Sequence, residues 1–263
     1  MTYKPGYKRF IEENLRIVNK KGVEVDFILN KIQRRYSLEG TGEDLILKAR
    51  QQGFSSLILA IFTADFLLKK NSRSVVVADI ADNAQELLSR VKFFIQSYEE
   101  RNKIKVPLKY NSKYELYNSV LNTRYTIGTS TNVNFGRSKT ITNLHLSELA
   151  YYQDPEKLFA GALQAVVPNG KVIIETTANG FNFLKTLWVE CEMGERPFKP
   201  LFYAASDFYS PEFLNKKQME LKRLYKQEYP ETPEEAFLTS GECYFDTDAL
   251  ALYFQETKNV KTI

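Results

Sequence analysis

Residues Lys48 to Ser56, K-A-R-Q-Q-G-F-S-S, have the residue types of a loop that holds a polyphosphate, with one displacement. In the usual pattern, G-x-x-x-x-G-K-[ST] between a strand and a helix, backbone N–H groups cradle phosphate oxygens. The lysine reaches the β- and γ-phosphates and the hydroxyl touches Mg²⁺. Here Gly53 keeps the second glycine and Ser55 keeps the hydroxyl. Lys48 stands at the first-glycine position, and Phe54 stands where the lysine is expected. From the end of a strand, rather than the start of a helix, Lys48 can still reach a terminal phosphate. Two further constellations fit the same chemistry. In T-N-L-H-L-S-E-L-A an apolar run ends in Ser147 and Glu148. A glutamate there polarises an attacking water as a general base, and the serine helps hold Mg²⁺ through a water. Thr176 to Gly180, T-T-A-N-G, again closes an apolar run with small and amide residues that can sense a γ-phosphate. Taken singly, each has a plainer reading: Glu148 as the first polar residue after a buried strand, Asn179-Gly180 as a turn.

These residues need a sheet to hold them on one edge. Short β-branched or aliphatic runs are D-L-I-L-K from Asp44, Ser74 to Asp79, Asn143 to Ser147, Lys171 to Thr176 and Pro200 to Ala204. Each is nearly continuous in apolar character, as strands covered on both faces are. Ser55 to Leu68, Asn83 to Tyr98, Pro155 to Ala165 and Phe181 to Glu190 have helical period, so the order is that of a parallel α/β sheet. Asn71-Ser72 and Pro168-Asn169-Gly170 supply turns. The three constellations then fall at the C-terminal ends of strands, the edge on which open α/β sheets bind ligands. The first forty residues read as helices and loops. From Pro211 onward a charged helix and the proline-punctuated Y-P-E-T-P-E-E-A-F read as a small lid or linker.

Composition narrows the class. The chain has 263 residues, 43% apolar and 26% charged, enough for one large core with a small subdomain. No apolar run is long enough to cross a bilayer, and the start lacks the apolar stretch of a secretory signal, so no membrane partner is expected. Cys191 and Cys243 alone point to a reducing compartment, and with one histidine they leave little material for zinc. The net charge of +4 is too balanced to identify a nucleic-acid binder. The basic run from Arg101 to Lys113 reads first as a solvated loop. His145, inside an apolar run, reads as a core histidine, and Trp188 as core.

Together the K-A-R-Q-Q-G-F-S-S loop, H-L-S-E-L-A, T-A-N-G and the closing Y-P-E-T-P-E-E-A-F-L-T-S-G resemble the ATPase domain of the tailed-phage terminase large subunit, the DNA-packaging motor. The resemblance runs from about Leu29 to about Phe245. It implies a RecA-like P-loop NTPase of the ASCE division, α/β, with a central mostly parallel sheet flanked by helices. Residues 1–43 would form a helical adenine-motif region, 44–210 the ATPase core and 211–263 the lid or linker. ATP and Mg²⁺ are the implied cofactors. Gln33 is expected at the adenine edge, Arg50 near the phosphates, and Lys48, Ala49, Arg50, Gln51, Gln52, Gly53, Phe54, Ser55 and Ser56 along the ATP-binding loop. Ser55 and Ser147 are the expected metal-side residues, Glu148 the catalytic base, and Thr177, Ala178, Asn179 and Gly180 the coupling motif. An arginine finger from a neighbouring subunit is expected at Arg137, with Arg124 as the alternative. The implied partners are double-stranded DNA, the portal protein, the small terminase subunit and further copies in a ring on the procapsid, in the host cytoplasm. Ser147 stands where many members of that family carry an acid. No nuclease is expected, because Asp246 and Asp248 have no strand context. Two other readings stay open: a helicase-like ATPase, and a nucleotide-binding or DNA-docking module that has lost hydrolysis.

Overall fold

The computed structural model describes residues 6–132 and 140–238. Arg137, Cys243, Asp246 and Asp248 lie outside them. The chain opens with helix α1 (Gly6–Asn14), a two-stranded hairpin of β1 (Arg16–Val18) and β2 (Glu24–Asp26), and helix α2 (Lys31–Glu39). The strands expected from the apolar runs follow: β3 (Glu43–Lys48), β4 (Arg73–Ala78), β8 (Ile141–Ser147), β9 (Val166–Thr176) and β10 (Lys199–Tyr203). They alternate with α3 (Phe54–Leu68), α4 (Ala81–Asn102), α5 (Pro155–Leu163) and α6 (Phe183–Glu192). Between α4 and β8 runs a meander of β5 (Leu108–Asn111), β6 (Glu115–Asn118) and β7 (Thr123–Thr129) that the apolar pattern does not announce. Helices α7 (Pro211–Leu221), α8 (Tyr225–Glu228) and α9 (Pro233–Leu238) end the described chain.

One eight-stranded sheet has the order β10-β3-β9-β8-β4-β7-β6-β5. Pairing is parallel from β10 to β7 and antiparallel at the β7-β6-β5 edge. Strand β9 therefore separates the strand that ends in Lys48 from the strand that ends in Ser147.

Period-2 alternation assigns the side chains to two cores. Leu45 and Leu47, Val75 and Val77, Leu144 and Leu146, and Val172 and Ile174 face the core built with α5, α6 and α9. Ile46, Val76 and Ile173 face the other, which packs under α1 to α4. Because α3 lies against the sheet with α1 and α4 around it, it is apolar on nearly every side. On β3, β8 and β9 the positions that face α3 continue to Lys48, His145, Ser147 and Glu175. The strand pattern thus delivers four polar groups beneath the N-terminus of one helix.

The Asn169-Gly170 turn is not a connection between elements. It lies inside β9, where the β8 register passes from Ile141 opposite Val166 to Asn143 opposite Lys171. Residues 167–170 bulge out opposite Thr142, and Asn169 takes the left-handed conformation, φ 62°.

Candidate active site at the C-terminal edge of the sheet

The loop between β3 and α3 is fixed by its neighbours on every side. Ala49 is buried and donates its N–H to the Tyr203 carbonyl. Gln51 is exposed in the left-handed region at φ 58°. Gln52 is buried, donates to the Ala204 carbonyl at 2.8 Å and accepts at its own carbonyl from Asn30 Nδ2. Gly53 caps α3 at φ 86° and provides no side-chain cap, so the helix presents its first N–H groups to the loop. A Cβ at 53 would lie 2.8 Å from Gln33 Nε2 as well as demanding a left-handed backbone, which explains the glycine.

The displaced lysine has a packing reason. Phe54 is buried, edge-on to Tyr36 and 4.7 Å from Tyr203 between ring centroids. A lysine at 54 would carry an ammonium into an aromatic core. Its side chain points away from the polar cluster, so residue 54 serves the loop through its backbone alone. Ser56 turns to α4, where its Oγ accepts from Arg90 at 3.4 Å.

Lys48 is the centre of the cluster. Its side chain is 5% exposed, with Nζ 3.0 Å from Glu148 Oε1 and 3.2 Å from Glu175 Oε2. Burial pulls the lysine down, but Glu148 and Glu175 outweigh it and hold the ammonium above the ordinary lysine range. Glu175 shows the complementary effect: burial pushes it up, and Lys48, then His145, draw it below the usual carboxylate range. Glu175 Oε1 accepts from Ser147 Oγ at 2.7 Å and from Ser55 Oγ at 2.9 Å, and lies 3.3 Å from His145 Nε2. Its Oε2 is buried against the Lys48 ammonium. Glu175 is the buried carboxylate of this cluster that the sequence reading passed over. The available signal was a carboxylate in K-V-I-I-E-T, a strand otherwise built for burial on both faces.

Glu148 takes a left-handed backbone, φ 58°, unusual for a residue with a side chain. That bend turns its carboxylate back over the sheet edge. Oε1 meets Lys48, while Oε2 accepts from the Thr177 N–H at 3.1 Å. One carboxylate thus joins the loop lysine to the first residue of the turn from Thr177 to Gly180. Within that turn Thr177 Oγ1 is 3.1 Å from Tyr151 Oη, and Asn179 reaches the Ala150 carbonyl. The Ala178 carbonyl accepts from Gln227 of α8, and Gly180 closes the turn at φ 72°. Glu228, next in α8, accepts from the Arg50 N–H and pairs with its guanidinium at 2.7 Å. Helix α8 therefore contacts the loop between β3 and α3 and the turn from Thr177 to Gly180 together.

The remaining candidates are placed differently. Gln33 is buried beside the loop and donates to the Gly53 carbonyl at 2.8 Å, while its Oε1 completes a capping box at Asn30. It supports the loop from behind. Arg50 is exposed and committed to Glu228. Arg124 is the second residue of β7, opposite Arg73 at the N-terminal edge of the parallel strands, ion-paired with Glu115 and 4.2 Å above the Tyr117 ring. His145 and Trp188 are buried, the former edge-on to Phe62.

No protein-family model and no curated protein matches this chain. Solved structures do match it. The ATPase domain of the Thermus phage P74-26 large terminase superposes with a TM-score of 0.59 at 15% identity, over 76% of this chain and 92% of that one. The chain has the fold of a phage large-terminase ATPase domain. The HK97 bacteriophage large terminase gives a TM-score of 0.66 at 15% identity over 87% of this chain. The large terminase of a thermophilic bacteriophage, in complex with ADP, gives 0.57 at 11% identity over 76%. This chain spans 53% and 50% of those two longer terminases. The mostly parallel sheet expected from the sequence matches those structures in fold, and Lys48, Glu148 and Glu175 lie on its C-terminal edge.

Proposed function

We propose that the chain is the ATPase motor domain of a viral terminase large subunit, coupling ATP hydrolysis to translocation of double-stranded DNA into a procapsid. The observation that carries this reading is Glu148, bent into a left-handed backbone so that one carboxylate touches both Lys48 and the Thr177 N–H. In this role the N–H groups from Gly53 to Ser56 and the Lys48 ammonium bind the β- and γ-phosphates. Glu148 accepts the proton of the attacking water, and its change of partners is felt directly at Thr177.

The residues fit a hard divalent cation. Mg²⁺ prefers oxygen ligands, keeps several waters and shares its shell with substrate phosphates. Ser55 and Ser147 offer hydroxyl oxygens over a buried carboxylate. The described residues contain no group of three or more His, Cys, Asp or Glu that could hold a metal alone. One ammonium faces two carboxylates, so the cluster favours a triphosphate whose charge a cation has reduced. Bound there, Mg²⁺ would neutralise charge developing on the β- and γ-phosphate oxygens.

An arginine from a neighbouring copy, Arg137 or Arg124, completes the site in a ring docked on a portal, with the small terminase subunit delivering DNA. Grip on the duplex is through backbone phosphates and weakens with salt. In a steady-state assay at raised protein concentration with duplex DNA, Glu148→Ala is expected to lose turnover by about 100-fold or more while still binding ATP. Unchanged turnover would remove Glu148 from the base role. Absence of turnover in the unaltered chain under every condition, with ATP bound, would favour a docking module.

A further inference from the structure

Resting on the ATPase reading above, we propose that Glu175 supplies the carboxylate missing at position 147, displaced by one strand, and acts as the positioning residue of the metal side of the site. The sheet order makes the substitution possible. Strand β9 lies between β3 and β8, and Glu175 stands in register opposite Ser147 on one side and Ile46 on the other. A carboxylate at 175 therefore reaches the place between the two strands that an acid at 147 would approach from β8.

The hydrogen bonds define its role. An ionised carboxylate only accepts, so Ser55 and Ser147 both donate their hydroxyl protons to Glu175 Oε1. Each serine oxygen is then left with its lone pairs directed away from Glu175, which is the orientation a hard cation requires. Donation to an anion also makes each oxygen a better ligand. Lys48 and His145 keep Glu175 in place from its remaining sides, and its full burial prevents water from competing with the serines for its carboxylate. Ser147 is in this account a spacer, holding the carboxylate against β8. Glu148, held by Lys48 and the Thr177 N–H, then serves the attacking water and not the metal, because the metal-side charge comes from β9.

The test is the magnesium dependence of nucleotide binding, read by fluorescence titration of N-methylanthraniloyl-ATP with Mg²⁺ and with EDTA. The unaltered chain is expected to bind more tightly with Mg²⁺. Glu175→Gln is expected to lose about 10- to 100-fold of that gain. Its affinity in EDTA should be kept or raised, because one negative charge has been removed. The swap S147D/E175Q, which returns the acid to β8 and keeps the charge beside Lys48, is expected to recover the gain to within about threefold. It also carries the test if E175Q alone does not fold, as judged by circular dichroism. A full magnesium gain in E175Q, or a folded swap that binds the probe without any gain, would overturn the assignment. Failure of the unaltered chain to bind the probe in either condition would overturn the nucleotide reading and this assignment with it.

Discussion

Strand β3 carries a buried charge at each end, and the two ends are built differently. At its start Asp44 is fully buried and accepts from Tyr36 Oη at 2.9 Å, the Thr41 N–H at 2.9 Å, Thr41 Oγ1 at 2.7 Å and the Gly42 N–H at 3.0 Å. All these donors lie within eight residues along the chain, so the network is local and closed. At its end Lys48 meets Glu148 and Glu175, 100 and 127 residues away, held by two other strands. There Glu175 Oε2 rests on the Lys48 ammonium alone among the described residues, and Glu148 holds a left-handed backbone. Closed networks serve the fold. An open one, bent toward a cradle of helix N–H groups, has capacity left for a ligand.

Variants at the two ends should separate these roles. Asp44→Ala strands the buried Tyr36 hydroxyl and Gly42 N–H and is expected to lower unfolding free energy by about 3 kcal/mol or more, measured in urea. The molecules that remain folded should keep their nucleotide affinity; a loss of affinity matching the loss of stability would erase the contrast. Gly53→Ala imposes a left-handed backbone on a residue with a Cβ and displaces Gln33, for about 1 to 2 kcal/mol in the same measurement. Here affinity should fall as well, because the loop itself moves.

The smallest expected effect is on pH dependence. Glu175 is depressed in the folded chain, by Lys48 and His145 against the burial that opposes them. Its contribution is therefore present above the unfolded value of 4.5 and declines as pH falls toward the folded value. Lys48 has the opposite sign: raised in the folded state, it contributes below 10.5 and is lost as pH rises through the folded value. Urea stability followed from about pH 6 to about pH 3 should fall less steeply in E175Q than in the unaltered chain. Parallel slopes would place the acid sensitivity elsewhere.

Much of this was legible in the sequence, for physical reasons. Five of the six strands in the parallel part of the sheet announce themselves because both faces are covered and their runs are apolar throughout. Lys48, Ser55, Glu148 and the Thr177 turn stand out because polar residues end those runs. The meander β5-β7 did not stand out. Its outer strand is largely exposed, its strands are only four to seven residues long, and antiparallel pairing tolerates polar alternation. The β1-β2 hairpin is likewise short, and its β2 residues are exposed. Glu175 was hidden by the opposite effect: it sits inside a strand that reads as apolar, and its partners are distant in sequence. Phe54 looked like a damaged position until Tyr36 and Tyr203 showed that a lysine there would have no water and no anion.

The most direct measurement removes the open pair as a unit. Lys48→Met with Glu175→Gln deletes opposite buried charges together, a replacement that is often neutral or stabilising. On one preparation, urea unfolding and titration with N-methylanthraniloyl-ATP and Mg²⁺ would be recorded side by side. Stability is expected to stay within about 1 kcal/mol of the unaltered chain, while affinity falls by about 30-fold or more. A double variant that binds the nucleotide as before, or that loses stability as Asp44→Ala does, would contradict the claim that this edge is built for a ligand.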